Sequence, residues 1–114
     1  MNTRLTFTTG SGYTRTGERL SFDDAERAAE LTRGYLARTF GGYTEMRTRG
    51  GHINLAGVTV HEEGFRWVVI AFDPSEAEDT AAFIARAFDQ GAVLLEVELL
   101  PTPAALVTKS GALL

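Results

Sequence analysis

A chain of 114 residues with 44% apolar and 23% charged side chains is one domain of ordinary size, able to bury a core without a disulfide or a metal. The absence of cysteine excludes disulfides, thiolate metal sites and cysteine nucleophiles together. A net charge of -4 argues against an extended nucleic-acid surface, no run approaches the ~20 apolar residues of a membrane span, and the start has no basic-then-apolar leader, so a cytoplasmic protein is expected.

In chain order, Arg4 to Thr9 alternates, with Leu5 and Phe7 on one side, and reads as a strand. Ser11 to Gly17 reads as loop. Ser21 is placed to cap a helix, with Asp24 in the capping-box position and acids filling the first turn. Ala25, Ala28, Ala29, Tyr35, Leu36 and Phe40 recur at helical spacing, and Gly41 is the stop. Tyr43 to Arg49 and His52 to Leu55 form a strand with a bulge at Gly50-Gly51. Ala56-Gly57 makes a tight turn, and Val58 to Glu62 returns with an irregularity near Gly64. Phe65 to Phe72 is the strongest strand. Asp73, Pro74 and Glu76 start a second helix with the stripe Ala77, Ala81, Ile84 and Phe88, stopped at Gly91. Ala92 to Leu100 is the last strand.

The order strand, helix, strand, strand, helix, strand predicts an α+β, ferredoxin-like split βαβ (β-α-β-β-α-β). Its antiparallel four-stranded sheet would carry both helices on one face. Residues 1–100 form this single domain. Residues 101–114 form a tail that could add a short edge strand at Ala104 to Thr108 or an oligomer contact. Trp67 to Phe72 is apolar on both sides, and a strand with one wet face should alternate. A homo-oligomer packed through the uncovered face is therefore expected. The alternative is that Leu106, Val107, Leu113 and Leu114 fold over it.

Taking Ala56-Gly57 as a two-residue turn sets Leu55 opposite Val58, His52 opposite His61 and Arg47 opposite Arg66. Paired arginines need a negative group beside them, supplied by Glu45 or by an anionic ligand held in two charge-assisted forks. With Arg49, Tyr43 and Trp67, this side could stack and clamp a nucleotide-like molecule. The ligand-binding candidates are thus Tyr43, Arg47, Arg49, Arg66 and Trp67. The same register gathers His52, His61 and Glu63 as an alternative metal triad, set against a plain polar ladder. The Gly10-Ser11-Gly12 stretch is neither a phosphate loop nor a dinucleotide fingerprint. Glu62-Glu63 reads as a solvated turn. No nucleophile motif compels an enzyme, and no cofactor is expected.

Phe40-Gly41-Gly42-Tyr43-Thr44, the glycine pair Gly50-Gly51, Glu63 on the return strand and Gln90 before Val93 make the pattern FGGYT…GG…V..E…Q.AV. Over Leu31 to Val97 this resembles small, mostly uncharacterised proteins encoded by phages and prophages. His52 stands where such proteins often have an aromatic residue. The resemblance implies an accessory protein of the host cytoplasm that binds rather than catalyses. Its target would be a host defence protein or a small nucleotide signal, a counter-defence role. The alternatives are an oligomeric enzyme of the dimeric α/β-barrel type, with His52, His61 and Glu63 in a pocket at the uncovered face, and a structural assembly module.

Overall fold

A computed structural model describes residues 2–101, 107 and 110 of the chain. Four strands and two helices follow in the predicted order: β1 (Thr3–Gly10), α1 (Phe22–Phe40), β2 (Thr44–Ile53), β3 (Thr59–Ala71), α2 (Ala77–Ala87) and β4 (Leu94–Leu99). The sheet order is β2-β3-β1-β4 and every neighbouring pair is antiparallel, which is the ferredoxin-like arrangement. Apart from Val107, which is exposed, and Ser110, the expected edge strand and tail contact beyond Pro101 lie outside the described residues.

Local chemistry sets the helix ends. Ser21 Oγ accepts from the Asp24 N–H at 3.1 Å, satisfying one of the free donors of the first turn of α1. Gly41 takes φ 84° and donates its N–H to Ala37 O, a left-handed stop that a β-carbon would disfavour. Ala25, Ala28, Ala29, Thr32 and Leu36 are the buried stripe of α1, small enough at three positions to bring the helix close to the sheet. Asp73 caps a single 3-10 turn, Pro74–Glu76, before α2 begins. The α2 stop differs from expectation. The helix ends at Ala87, and Asp89, at φ 48°, takes the left-handed position instead of Gly91. Side-chain and backbone ties to the segment after β1 fix Asp89 there: its carbonyl accepts from Arg15 N at 2.7 Å, and Gln90 Nε2 donates to Tyr13 O at 2.6 Å.

Both helices lie on one face of the sheet, with Tyr35 of α1 stacked on Phe83 of α2 at 4.4 Å. Between them and the sheet sit Leu5, Phe7, Phe65, Trp67, Val69, Leu36, Ile84 and Phe88. Phe65 and Trp67 stack nearly parallel at 5.1 Å, and Phe88 tilts against both. The other face carries Arg4, Thr6 and Thr8 of β1 beside Ile70, Val68 and Arg66 of β3, with Met46 and Leu94 on the outer strands.

β1 stops pairing at Gly10–Gly64, while β2 and β3 continue to Ile53–Thr59 as a two-stranded arm. This gives the molecule its 53 × 27 × 26 Å shape. The expected bulge at Gly50-Gly51 is absent: Gly50 pairs with Glu62 and Gly51 with His61 in an unbroken ladder. Gly64 is no irregularity either. A β-carbon there would fall on the Thr9 carbonyl oxygen, so glycine allows two backbones to approach.

The arm closes through a three-residue loop, Leu55-Ala56-Gly57. Gly57 N–H bonds to Asn54 O, Asn54 N–H bonds to Val58 O, and Gly57 sits at φ 76°. This is a type I turn followed by a left-handed bulge residue. Asn54 Oδ1 fixes it by accepting from the Ala56 and Val58 amides. The expected two-residue turn at Ala56-Gly57 is thereby corrected by one residue. Arg47 lies opposite Phe65, Arg66 opposite Met46, His52 opposite Val60 and His61 opposite Gly51. Since side chains alternate faces, that slip separates the pairs the sequence had joined.

Candidate functional site

After β1 the chain turns back on itself. Thr14 and Glu18 are bridged, Tyr13 pairs with Arg19, and Gly17 makes the bend at φ 86°. This small ribbon docks on the base of the arm: Ser11 N donates to Glu63 O at 2.9 Å, and Gly12 N and Tyr13 N donate to Glu62 Oε2 at 3.2 and 3.0 Å. Between ribbon and arm runs an open groove of about 1000 Å³. Arg19, Arg47, Arg49 and His61 supply its cationic and imidazole groups, Glu62 and Glu63 its carboxylates, and Tyr13 and Phe22 its aromatic wall. Phe22 is 74% exposed at the first position of α1.

Arg47 is held in place. Its Nη2 donates to Glu26 Oε1 at 2.6 Å, and its guanidinium lies 4.3 Å from the centre of the buried Phe65 ring. Behind it, Arg33 of α1 grips Glu45 with two bonds, 2.7 and 3.1 Å, while Trp67 Nε1 donates to the same carboxylate at 2.8 Å. The Arg33 fork holds the Glu45 carboxyl below its usual range, helped by the indole N–H, and Glu45 in turn raises the Arg33 pKa. Arg49 is looser, 3.7 Å from Glu63 with both side chains mostly exposed. Among the described residues Arg19 has no acidic partner.

Of the sequence-predicted ligand residues, only Arg47 and Arg49 line this groove. Tyr43 lies before β2 and outside the lining. Arg66 is on the opposite sheet face, where its Nε donates to Thr8 Oγ1 at 3.1 Å. Trp67 is 0% exposed and belongs to the core, so stacking a ligand on it is excluded in this arrangement. His61 and Glu63 share one side of β3, whereas His52 points to the other side of the arm, so the alternative metal triad does not assemble. No group of three or more metal-ligating side chains comes together among the described residues.

The groove residues missed by sequence reasoning are Tyr13, Arg19, Phe22 and Glu62. Gly17 between the alternating residues Tyr13 to Arg19 was the one available signal, a turn glycine flanked by strand-forming residues. The two groove serines both use their hydroxyls on backbone: Ser11 Oγ donates to Glu63 O and Ser21 Oγ accepts from Asp24 N. What the arrangement offers is two exposed guanidinium forks, one held fork and an aromatic wall. That set suits recognition of an anion joined to a flat ring.

No helix among the described residues is long and apolar enough to cross a membrane. No protein-family model matches the chain. No curated protein matches it either. Among solved structures the chain is similar to the periplasmic divalent cation tolerance protein CutA from Archaeoglobus fulgidus, at 10% identity and a TM-score of 0.58, over 91% of this chain and 88% of that one. At that identity the likeness concerns the fold, and the ferredoxin-like architecture is what the two chains share.

Proposed function

We propose that this chain is a non-enzymatic binding protein whose groove takes a small anionic, nucleotide-like ligand. The observation that carries the reading is the convergence of Arg19, Arg47 and Arg49 beside Tyr13 and Phe22, with Arg19 lacking an acidic partner among the described residues. Guanidinium forks bind phosphate bidentately, and an exposed aromatic side chain offers a base a stacking surface. The sequence resemblance to small phage-encoded proteins supports reading the binding as sequestration. In that role the chain would remove a nucleotide signal, or mask a host defence protein, without altering it.

Titration of the purified chain with a panel of nucleotides and cyclic nucleotides, read by calorimetry, tests this. Arg19→Ala and Arg49→Ala should each weaken binding about tenfold or more while thermal stability stays the same. Binding unaffected by both substitutions would remove the groove from consideration.

A second reading rests on a different observation. The uncovered sheet face exposes Met46, Ile70 and Leu94 on three strands. A homo-oligomer packed through this face would cover them. Light scattering of the wild type and of an Ile70→Glu variant distinguishes an assembly from a monomer: a wild-type oligomer that the variant dissociates supports it, a monomeric wild type ends it.

A further inference from the structure

The amides that follow β1 face the arm, and an acid from the arm fills two of them. Glu62 Oε2 accepts from Gly12 N and Tyr13 N, next to the Ser11 N–H bonded to the Glu63 carbonyl. Successive amides turned to one side form a concave seat for an anion. Glycine makes the room. A β-carbon on Gly10 would fall on the Glu62 carboxylate, and one on Gly12 would stand 3.2 Å from Glu62 Cγ. Gly12, Tyr13 and Glu62 belong to the lining of the same groove as Arg19 and Arg49.

We propose that the Gly10 to Tyr13 loop is a phosphate seat which Glu62 fills in the ligand-free chain, and that the phosphate group of the groove's ligand replaces the Glu62 carboxylate there. This rests on the reading of the groove as an anion site. The exchange needs only a side-chain rotation. Glu62 is half-buried at the groove's edge, and the arm remains fastened to the ribbon by the Ser11–Glu63 backbone bond when its carboxylate leaves. The phosphate brings more acceptor oxygens and more charge than the carboxylate it displaces. It also gives Arg19 the acidic partner it otherwise lacks among the described residues. Glu62 is tethered beside the seat at high effective concentration, so it sets a threshold that weak anions do not cross.

The test uses the full chain and inorganic pyrophosphate, followed by amide NMR. In the wild type, pyrophosphate should shift the Gly12 and Tyr13 amide signals. Glu62→Ala, which empties the seat, should raise pyrophosphate affinity about tenfold to a hundredfold. Glu62→Gln keeps an acceptor for the two amides and therefore the loop's shape; it should raise affinity less, by removing the negative charge alone. If Glu62→Ala loosens the loop, the Gln variant still decides. Affinity unchanged or reduced in both variants overturns the proposal. Shifts at the groove arginines with none at Gly12 and Tyr13 overturn it as well, while leaving the groove as an anion site. Pyrophosphate binding by none of the three proteins, alongside nucleotide binding abolished by Arg19→Ala, would likewise reject the seat and keep the groove.

Discussion

From Thr44 to Thr48, β2 pairs with Val68 to Gly64 of β3, and β1 runs along the far side. From Arg49 to Ile53 it pairs with Glu63 to Thr59, with no third strand alongside among the described residues. The backbone ladder is the same through both halves, but its surroundings change at Gly64. From Phe65 to Ala71 every second residue of β3 is buried; from Thr59 to Glu63 none is. The body half is held by side-chain burial, whereas the arm half is held by its own ladder and by the ribbon after β1. An isolated two-stranded ribbon is marginal in water, so the contacts of Ser11, Gly12 and Tyr13 at its base matter more than any residue at its tip.

The largest effect expected from this contrast is at Trp67. Trp67→Ala should cost about 3–5 kcal/mol, because it opens a cavity between Phe65 and Phe88 and also takes the indole donor from Glu45. His61→Ala, six residues away on the same strand, should stay within about 0.5 kcal/mol. Urea unfolding of the two variants compares them directly, and similar losses would mean that the arm is as much part of the core as the body is.

The boundary itself can be struck next. In Gly64→Ala the new methyl would press on the Thr9 carbonyl and on Thr48 Oγ1, 2.9 Å away, a clash with backbone that cannot rotate aside. A cost of about 1–3 kcal/mol is expected. Gly50→Ala on the arm meets nothing within 4 Å and should be neutral or mildly stabilising. Opposite signs for two Gly→Ala changes on adjoining strands would sharpen the division.

The same division explains which parts of the molecule could be read from sequence. Helix caps are local: Ser21 with Asp24, and Gly41 after Phe40, name the ends of α1 within a few residues. The strand order followed from alternation and from the apolar run Trp67 to Phe72. Register did not follow, because Ala56-Gly57 suits a two-residue turn as well as the end of a three-residue loop, and the Asn54 side chain decides between them. One residue of slip moved Arg66 away from Arg47 and His52 away from His61. The groove depends on a contact 50 residues apart in the chain, Gly12 with Glu62, which no spacing rule reveals. Arg47 and Arg49 were named as candidates through an expected pairing of Arg47 with Arg66 that the register does not contain. Arg19 was not, because its relevance comes only from the ribbon folding onto the arm.

The ion network behind Arg47 belongs to the body, and it gives a pH test. Glu45 has its pKa lowered in the folded chain, first by the Arg33 fork. Its contribution is therefore complete above the ordinary glutamate value of 4.5 and is lost as pH falls through the lower folded-state value. Glu45→Gln should cost about 1–2 kcal/mol near neutral pH, where Arg33 keeps its charge and loses its main partner. The gap between variant and wild type should close as acid protonates Glu45. Urea unfolding across that pH range measures it, and a gap that stays constant would mean that the carboxylate's charge is immaterial to the network.

The smallest effect is expected at the tip, and it is the most discriminating. Gly57 sits at φ 76°, where an L side chain costs about 1 kcal/mol, so Gly57→Ala weakens the loop that sets the register of the whole arm. If the arm opens independently of the body, that cost stays local. Hydrogen exchange at Asn54 and Val58, whose amides close the loop, should then quicken about fivefold, while Phe7 and Trp67 exchange and the unfolding midpoint do not move. A matching loss at the core amides would show instead that tip and body unfold as one unit. In that case the boundary at Gly64 is a change of solvent exposure only, and the ladder carries cooperativity across it. The first outcome has a functional corollary. An arm that opens alone can release Glu62 from the amides at its base without disturbing the fold, and the groove beside it can then change shape.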